Sequence, residues 1–184
     1  MEKMQETNKL LKTHIIVIIV CIILGTLLHF TYQWSGENLF VASFSAVNES
    51  VWEHLKLVFY PMLIMTIIEY PFVKQSDNNY LEAKTIGIFI AMSFMVVSFF
   101  TYTGIIGTNF AIINILIFIK SIILGERIAY KLMKINNEST TNTKILASII
   151  LIFFLTCFIV FTYYTPEVNL FRDPITGVYG INRI

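Results

Sequence analysis

The 184-residue chain is 56% hydrophobic and 15% aromatic, with only 14% charged residues, a formal net charge of +1 and a mean hydropathy of +0.71. This balance excludes a water-soluble domain of this size, and without a run of Lys or Arg the chain offers nucleic acid no binding face. Cys21 and Cys157 each lie inside an apolar run, far from any C-x-x-C pattern, and read as small buried hydrophobes.

Lys3, Lys9 and Lys12 precede the first apolar run and give the start the look of a secretory leader. The apolar character continues to Tyr32, however, and Gln33 to Glu37 offer no small-residue cleavage site, so an uncleaved first span is expected. A bilayer core about 30 Å thick takes roughly 20 apolar residues in a helix, because only a helix or a closed barrel satisfies its own backbone there. The runs are continuous rather than alternating, which excludes a barrel. Five spans are predicted, over 13–32, 51–73, 83–102, 105–124 and 144–164.

Spans three and four meet at a short turn holding Gly104 and Gly107, which predicts an antiparallel hairpin. The fourth helix is expected to continue past the membrane over 126–134, and the polar stretch 136–142 reads as a linker. In the tail, 165–184, Asp173-Pro174 and Thr176-Gly177 read as tight turns. Phe171, Val178, Tyr179 and Ile181 could then pack the tail on the bundle as a lid. The expected fold class is an all-α polytopic membrane helix bundle, one transmembrane domain over 1–184, multi-pass in the cell membrane with the lipid bilayer as its partner.

Orientation follows from Lys and Arg. Lys3, Lys9, Lys12, Lys74, Lys84, Lys120, Arg127, Lys131, Lys134 and Lys144 fall on one side, and Lys56, Arg172 and Arg183 on the other. The amino terminus is therefore expected in the cytoplasm and the carboxyl terminus outside.

Ionisable groups in spans are costly, so each is a candidate for function. His29 lies near the outer end of span one. The densest polar cluster, Ser45 to Lys56, leads into span two. On a continuous helix, Glu49, Glu53, Lys56 and Tyr60 fall within about 60° of one another and form a stripe. His54 lies about 100° from Glu53 and joins that stripe only if the helix begins later. Ser50-x-x-Glu53 also fits a capping box, and Lys56 one turn on could neutralise Glu53. Pro61 should kink span two beside the stripe. Glu69 and Tyr70 read as interfacial, Asn114 as a hydrogen-bonding group between helices, and Lys120 as reaching for water.

The segment Ser45-Ala46-Val47-Asn48-Glu49-Ser50-Val51-Trp52-Glu53-His54-Leu55-Lys56 stands with the tail Leu170-Phe171-Arg172-Asp173-Pro174-Ile175-Thr176-Gly177-Val178-Tyr179-Gly180-Ile181, and with His29 and Tyr32-x-x-Ser35-Gly36. Together they resemble a family of small bacterial membrane proteins catalogued only as a domain of unknown function, over nearly the whole chain. The resemblance implies a bacterial multi-pass membrane protein and brings no activity or catalytic residue with it.

Three functions are compatible with these residues. The first is an outward-facing site for a small polar ligand or a divalent metal such as zinc, with His29, Glu49, His54 and Asp173 as ligands. As a metal-dependent membrane hydrolase it would use Glu53 as general base against a lipid-borne ester or amide. H-E-x-x-H and related spacings are absent. The second is an oligomeric transporter, since five spans without an inverted repeat call for a homo-oligomer. The third is an accessory membrane subunit whose outer cap holds a protein partner.

Overall fold

A computed structural model describes residues 2–73, 79–135 and 139–181. Lys74, Arg183 and part of the 136–142 linker lie outside the described residues. The elements are α1 (Glu2–Trp34), α2 (Leu39–Ala42), α3 (Val51–Val73), α4 (Tyr80–Ile106), α5 (Ala111–Lys134) and α6 (Thr141–Tyr163), followed by a 3-10 turn at Asn169–Phe171. The described residues are all-helical, and among them four segments are long and apolar enough to cross a membrane: Leu10–Trp34, Val51–Pro71, Tyr80–Ile106 and Thr141–Tyr163.

The fourth of the five expected spans differs. Gly107 takes a left-handed φ of 82° and its N–H caps Thr103, so Ile105 and Ile106 close α4 instead of opening α5. α5 then runs to Lys134 with Lys120, Glu126 and Arg127 inside it and is not among the four apolar helices. It pairs with α4 as the expected antiparallel hairpin, tied near the turn by a Tyr102 to Asn114 side-chain hydrogen bond. Farther along, Gly87 and Gly125 stand so close that a Cβ on either would meet the other's carbonyl. The start of α6 is fixed by a capping box between Thr140 and Thr143.

Helices in lipid gain little from burying apolar surface against one another, so close packing and polar contacts carry their association. The large outward residues of α1 and α6, such as Ile16, Ile19, Ile23, Ile152 and Phe153, are exposed, as expected of faces turned to lipid. Inside, Phe59, Met62, Phe158 and Val58 are fully buried.

α1 and α3 form the seam on which the site rests. Pro61 lies inside a continuous α3 and has no N–H, so the Leu57 carbonyl four residues earlier lacks its usual helical donor. That carbonyl faces Gly25 of α1, where a Cβ would collide with it and with the Phe118 ring. The proline frees a carbonyl and the glycine lets α1 come up to it.

Toward the end of the bundle opposite the tail, the seam is closed by buried charges. Lys84 Nζ lies 3.0 Å from Glu69 and 2.8 Å from Glu126, and His14 Nδ1 lies 2.8 Å from the same Glu126 oxygen. Glu69 is buried, not interfacial as the sequence suggested, because α4 supplies Lys84 as its partner inside the bundle.

Gly25→Val is expected to destabilise the protein by about 1–3 kcal/mol through overpacking. The check is thermal unfolding in detergent; an unchanged transition would show that α1 and α3 do not meet at Gly25.

Candidate metal centre

The loop from 43 to 50 is held by a lysine. Lys56, fully buried on the second turn of α3, donates to the carbonyls of Ala42 at 2.9 Å and Ser45 at 3.3 Å and pairs with Glu53 at 2.6 Å. The same Glu53 oxygen accepts the Val47 N–H at 3.0 Å. Tyr60 donates to the Ser43 carbonyl at 2.7 Å. The Ser45 hydroxyl inserts into the ladder of α1, accepting from Tyr32 N–H and donating to the Leu28 carbonyl, one residue before His29. The loop is thus pinned to both α3 and α1.

This scaffold delivers Glu49 between two histidines. His29 Nε2 lies 3.8 Å from one Glu49 oxygen and His54 Nε2 lies 3.5 Å from the other, with the two rings 5.2 Å apart. One ligand atom from each residue falls within 4.8 Å of the others. His54 Nδ1 contacts the Ser50 carbonyl at 2.9 Å, which can only accept, so Nδ1 carries a proton, and in the neutral ring the Nε2 lone pair faces Glu49. Metal-binding histidines are commonly oriented by such a bond. His29 Nδ1 is buried without a partner among the described residues.

A cavity of about 30 Å³ opens beside Glu49 and His54, walled by Met95, Phe99, Asn114 and Ile117. It is large enough for a water molecule. A wider cleft of about 670 Å³ lies between the end of α4 and the tail, and shares Val51 and Phe99 with the cavity wall.

The tail reaches this end through Phe171, which stacks on Trp52 at 4.7 Å and meets Phe161 at 5.6 Å. Asp173 accepts the N–H of Ile175 at 2.7 Å, of Thr176 at 3.1 Å and of Glu49 at 3.3 Å. Asn48 donates to the Gly180 carbonyl at 2.9 Å.

Of the five residues singled out in the sequence, the structure brings together His29, Glu49 and His54. α3 begins only at Val51, so Glu49 is free of the helical stripe and turns to the histidines. Glu53 faces away into the loop, engaged by Lys56 and Val47, and Ser50 Oγ accepts its N–H as half of a capping box. Asp173 stands behind Glu49, its carboxylate bonded to amides, and orients the Glu49 backbone. Sequence reasoning passed over His14 and took Lys84 and Glu126 for residues of the cytoplasmic side; their signal was one ionisable residue per helix at a similar depth.

The family model described as "Family of unknown function (DUF6512)" matches residues 1–181. No curated protein and no solved structure matches the chain.

Burial alone would raise the Asp173 carboxyl, but the amides of Ile175, Thr176 and Glu49 outweigh it and hold it below the ordinary aspartate value. A carboxyl lowered by folding stabilises at pH above its unfolded value and loses that contribution as pH falls through the lowered one. The tail should therefore stay docked near neutral pH and loosen in acid below the ordinary aspartate range, and Asp173→Asn should loosen it at neutral pH. Hydrogen exchange of residues 171–180 checks this; exchange indifferent to both changes would contradict it.

Proposed function

The chain belongs to this family of unknown function, and on that premise we propose that it is a membrane protein binding a divalent metal ion, zinc being the best fit, through His29, Glu49 and His54. The carrying observation is that three ligand atoms from α1, the loop and α3 stand within 4.8 Å of one another. Three protein ligands with room left for water is the pattern of catalytic rather than structural zinc sites. The small cavity beside Glu49 and His54 supplies that room.

The positive-inside count supports placing this end of the bundle outside the cell membrane, with the amino terminus in the cytoplasm. A bound metal would supply an activated water at neutral pH. The protein's own residues hold the ligands: Ser50 fixes the His54 ring, and Asp173 with Lys56 fixes the loop that carries Glu49. Asn114 is the polar group on the far cavity wall, and Met95, Phe99 and Ile117 keep that wall apolar. Together with the cleft under the tail, this arrangement suits an ester or amide on a lipid, whose polar group enters from the outer surface.

The test is zinc titration of chelator-washed protein by calorimetry. One equivalent should bind, His54→Ala and Glu49→Gln should each weaken binding by about 100-fold or more, and Glu167→Gln, outside the cluster, should leave it unchanged. Absence of stoichiometric zinc, or affinity unaltered by both ligand variants, would overturn the proposal.

A further inference from the structure

The charges at the opposite end of the seam do not balance as they stand. With both carboxylates ionised, Glu69 and Glu126 bring two negative charges and Lys84 one positive, so the four groups together carry a net negative charge unless one further proton is bound among them. None of the four side chains is more than 4% exposed. A buried net charge in this setting is strongly unfavourable, while one proton brings the sum to zero.

Lys84 Nζ lies between Glu69 and Glu126, and His14 is the basic group in contact with Glu126 that can gain a positive charge. His14 Nε2, Glu126 Oε1 and both Glu69 carboxylate oxygens are buried without a hydrogen-bond partner among the described residues, and of these only His14 Nε2 belongs to a base that a proton would make positive. His14 lies two residues after the exposed Lys12, about 3 Å along the helix. Water at that end of the bundle is therefore close.

We infer that His14, Glu69, Lys84 and Glu126 form a proton-binding site that holds one exchangeable proton on the His14–Glu126 pair. The His14 Nε2 lone pair takes a proton from hydronium, forming imidazolium and leaving water; Nδ1–H stays on Glu126, and release reverses the step. Filled, the site joins α1 to α5 by an ion pair; empty, it leaves a hydrogen bond from neutral imidazole to the Glu126 carboxylate and one uncompensated negative charge among α1, α3, α4 and α5. Among the described residues, the other titratable groups facing it are Cys21 of α1, Tyr80 of α4, whose hydroxyl donates to the Thr66 carbonyl and also lies against Glu69, and Tyr130 of α5, whose ring meets His14 edge-on at 5.3 Å with Lys134 above it. None of them cancels the missing charge within the network.

The chain has three histidines, so nitrogen-15 spectra of histidine-labelled protein in lipid nanodiscs resolve each ring, with His14→Gln assigning the His14 signals. The His14 ring should take up one proton as pH falls, and Glu126→Gln should reduce the protonated fraction of that ring at a given pH. A midpoint unmoved by Glu126→Gln, or no His14 titration while the protein stays folded, would overturn the inference. Stability gives an independent reading. His14→Gln alone strands a negative charge and should lower the melting temperature by roughly 10 °C, whereas His14→Gln with Glu126→Gln is neutral and should recover at least half of that loss. A double variant no more stable than His14→Gln would also overturn it.

Discussion

The tail-side half of this protein depends on one buried ammonium group. Lys56 is fully enclosed, and such a charge is tolerated only where its donors are satisfied. It finds the Glu53 carboxylate and the carbonyls of Ala42 and Ser45, and in doing so folds the 43–50 loop back over α3. Removing one partner of such a pair costs about 3–5 kcal/mol, because the other is left buried and unpaired. Everything that brings Glu49 to His29 and His54 hangs from this loop. Asp173 adds a second hold from the tail, and the Ser45 hydroxyl a third from α1.

The seam between α1 and α3 gives the molecule two polar ends separated by an apolar middle. His14 and His29 are fifteen residues apart on α1, and His54 and Glu69 are fifteen apart on α3. Run antiparallel, the two helices set His29 against His54 and His14 near Glu69, about 22 Å from one pair to the other. Between them Val17, Cys21, Val58 and Met62 are buried and the backbones meet at Gly25 and Leu57. In a bilayer, where apolar burial does not draw helices together, this close contact and the two polar clusters fix the register.

Helices and their approximate bounds were legible because hydrophobic runs of membrane length have few other readings. The α4–α5 turn was misplaced by several residues, since only the left-handed conformation of Gly107 decides which helix owns Ile105 and Ile106. The cluster of His29, Glu49 and His54 was half legible. Residue types picked out His29, Glu49 and His54, but a continuous helical stripe joined Glu49 to Glu53, whereas the later start of α3 separates them. The network of His14, Glu69, Lys84 and Glu126 was legible only as one ionisable residue per helix at a similar depth. Its four members come from four helices, and each alone resembles an ordinary residue near a membrane surface; only the packing of α4 and α5 on the seam makes them partners.

The account centres on coordination by two imidazoles and a carboxylate. X-ray absorption at the zinc edge, on protein loaded with one equivalent in lipid nanodiscs, reads that shell directly. The expected spectrum has two imidazole nitrogens at about 2.0–2.1 Å with oxygen at about 2.0–2.2 Å, and His54→Ala loses half of the imidazole scattering. A shell of oxygens without imidazole would contradict the account.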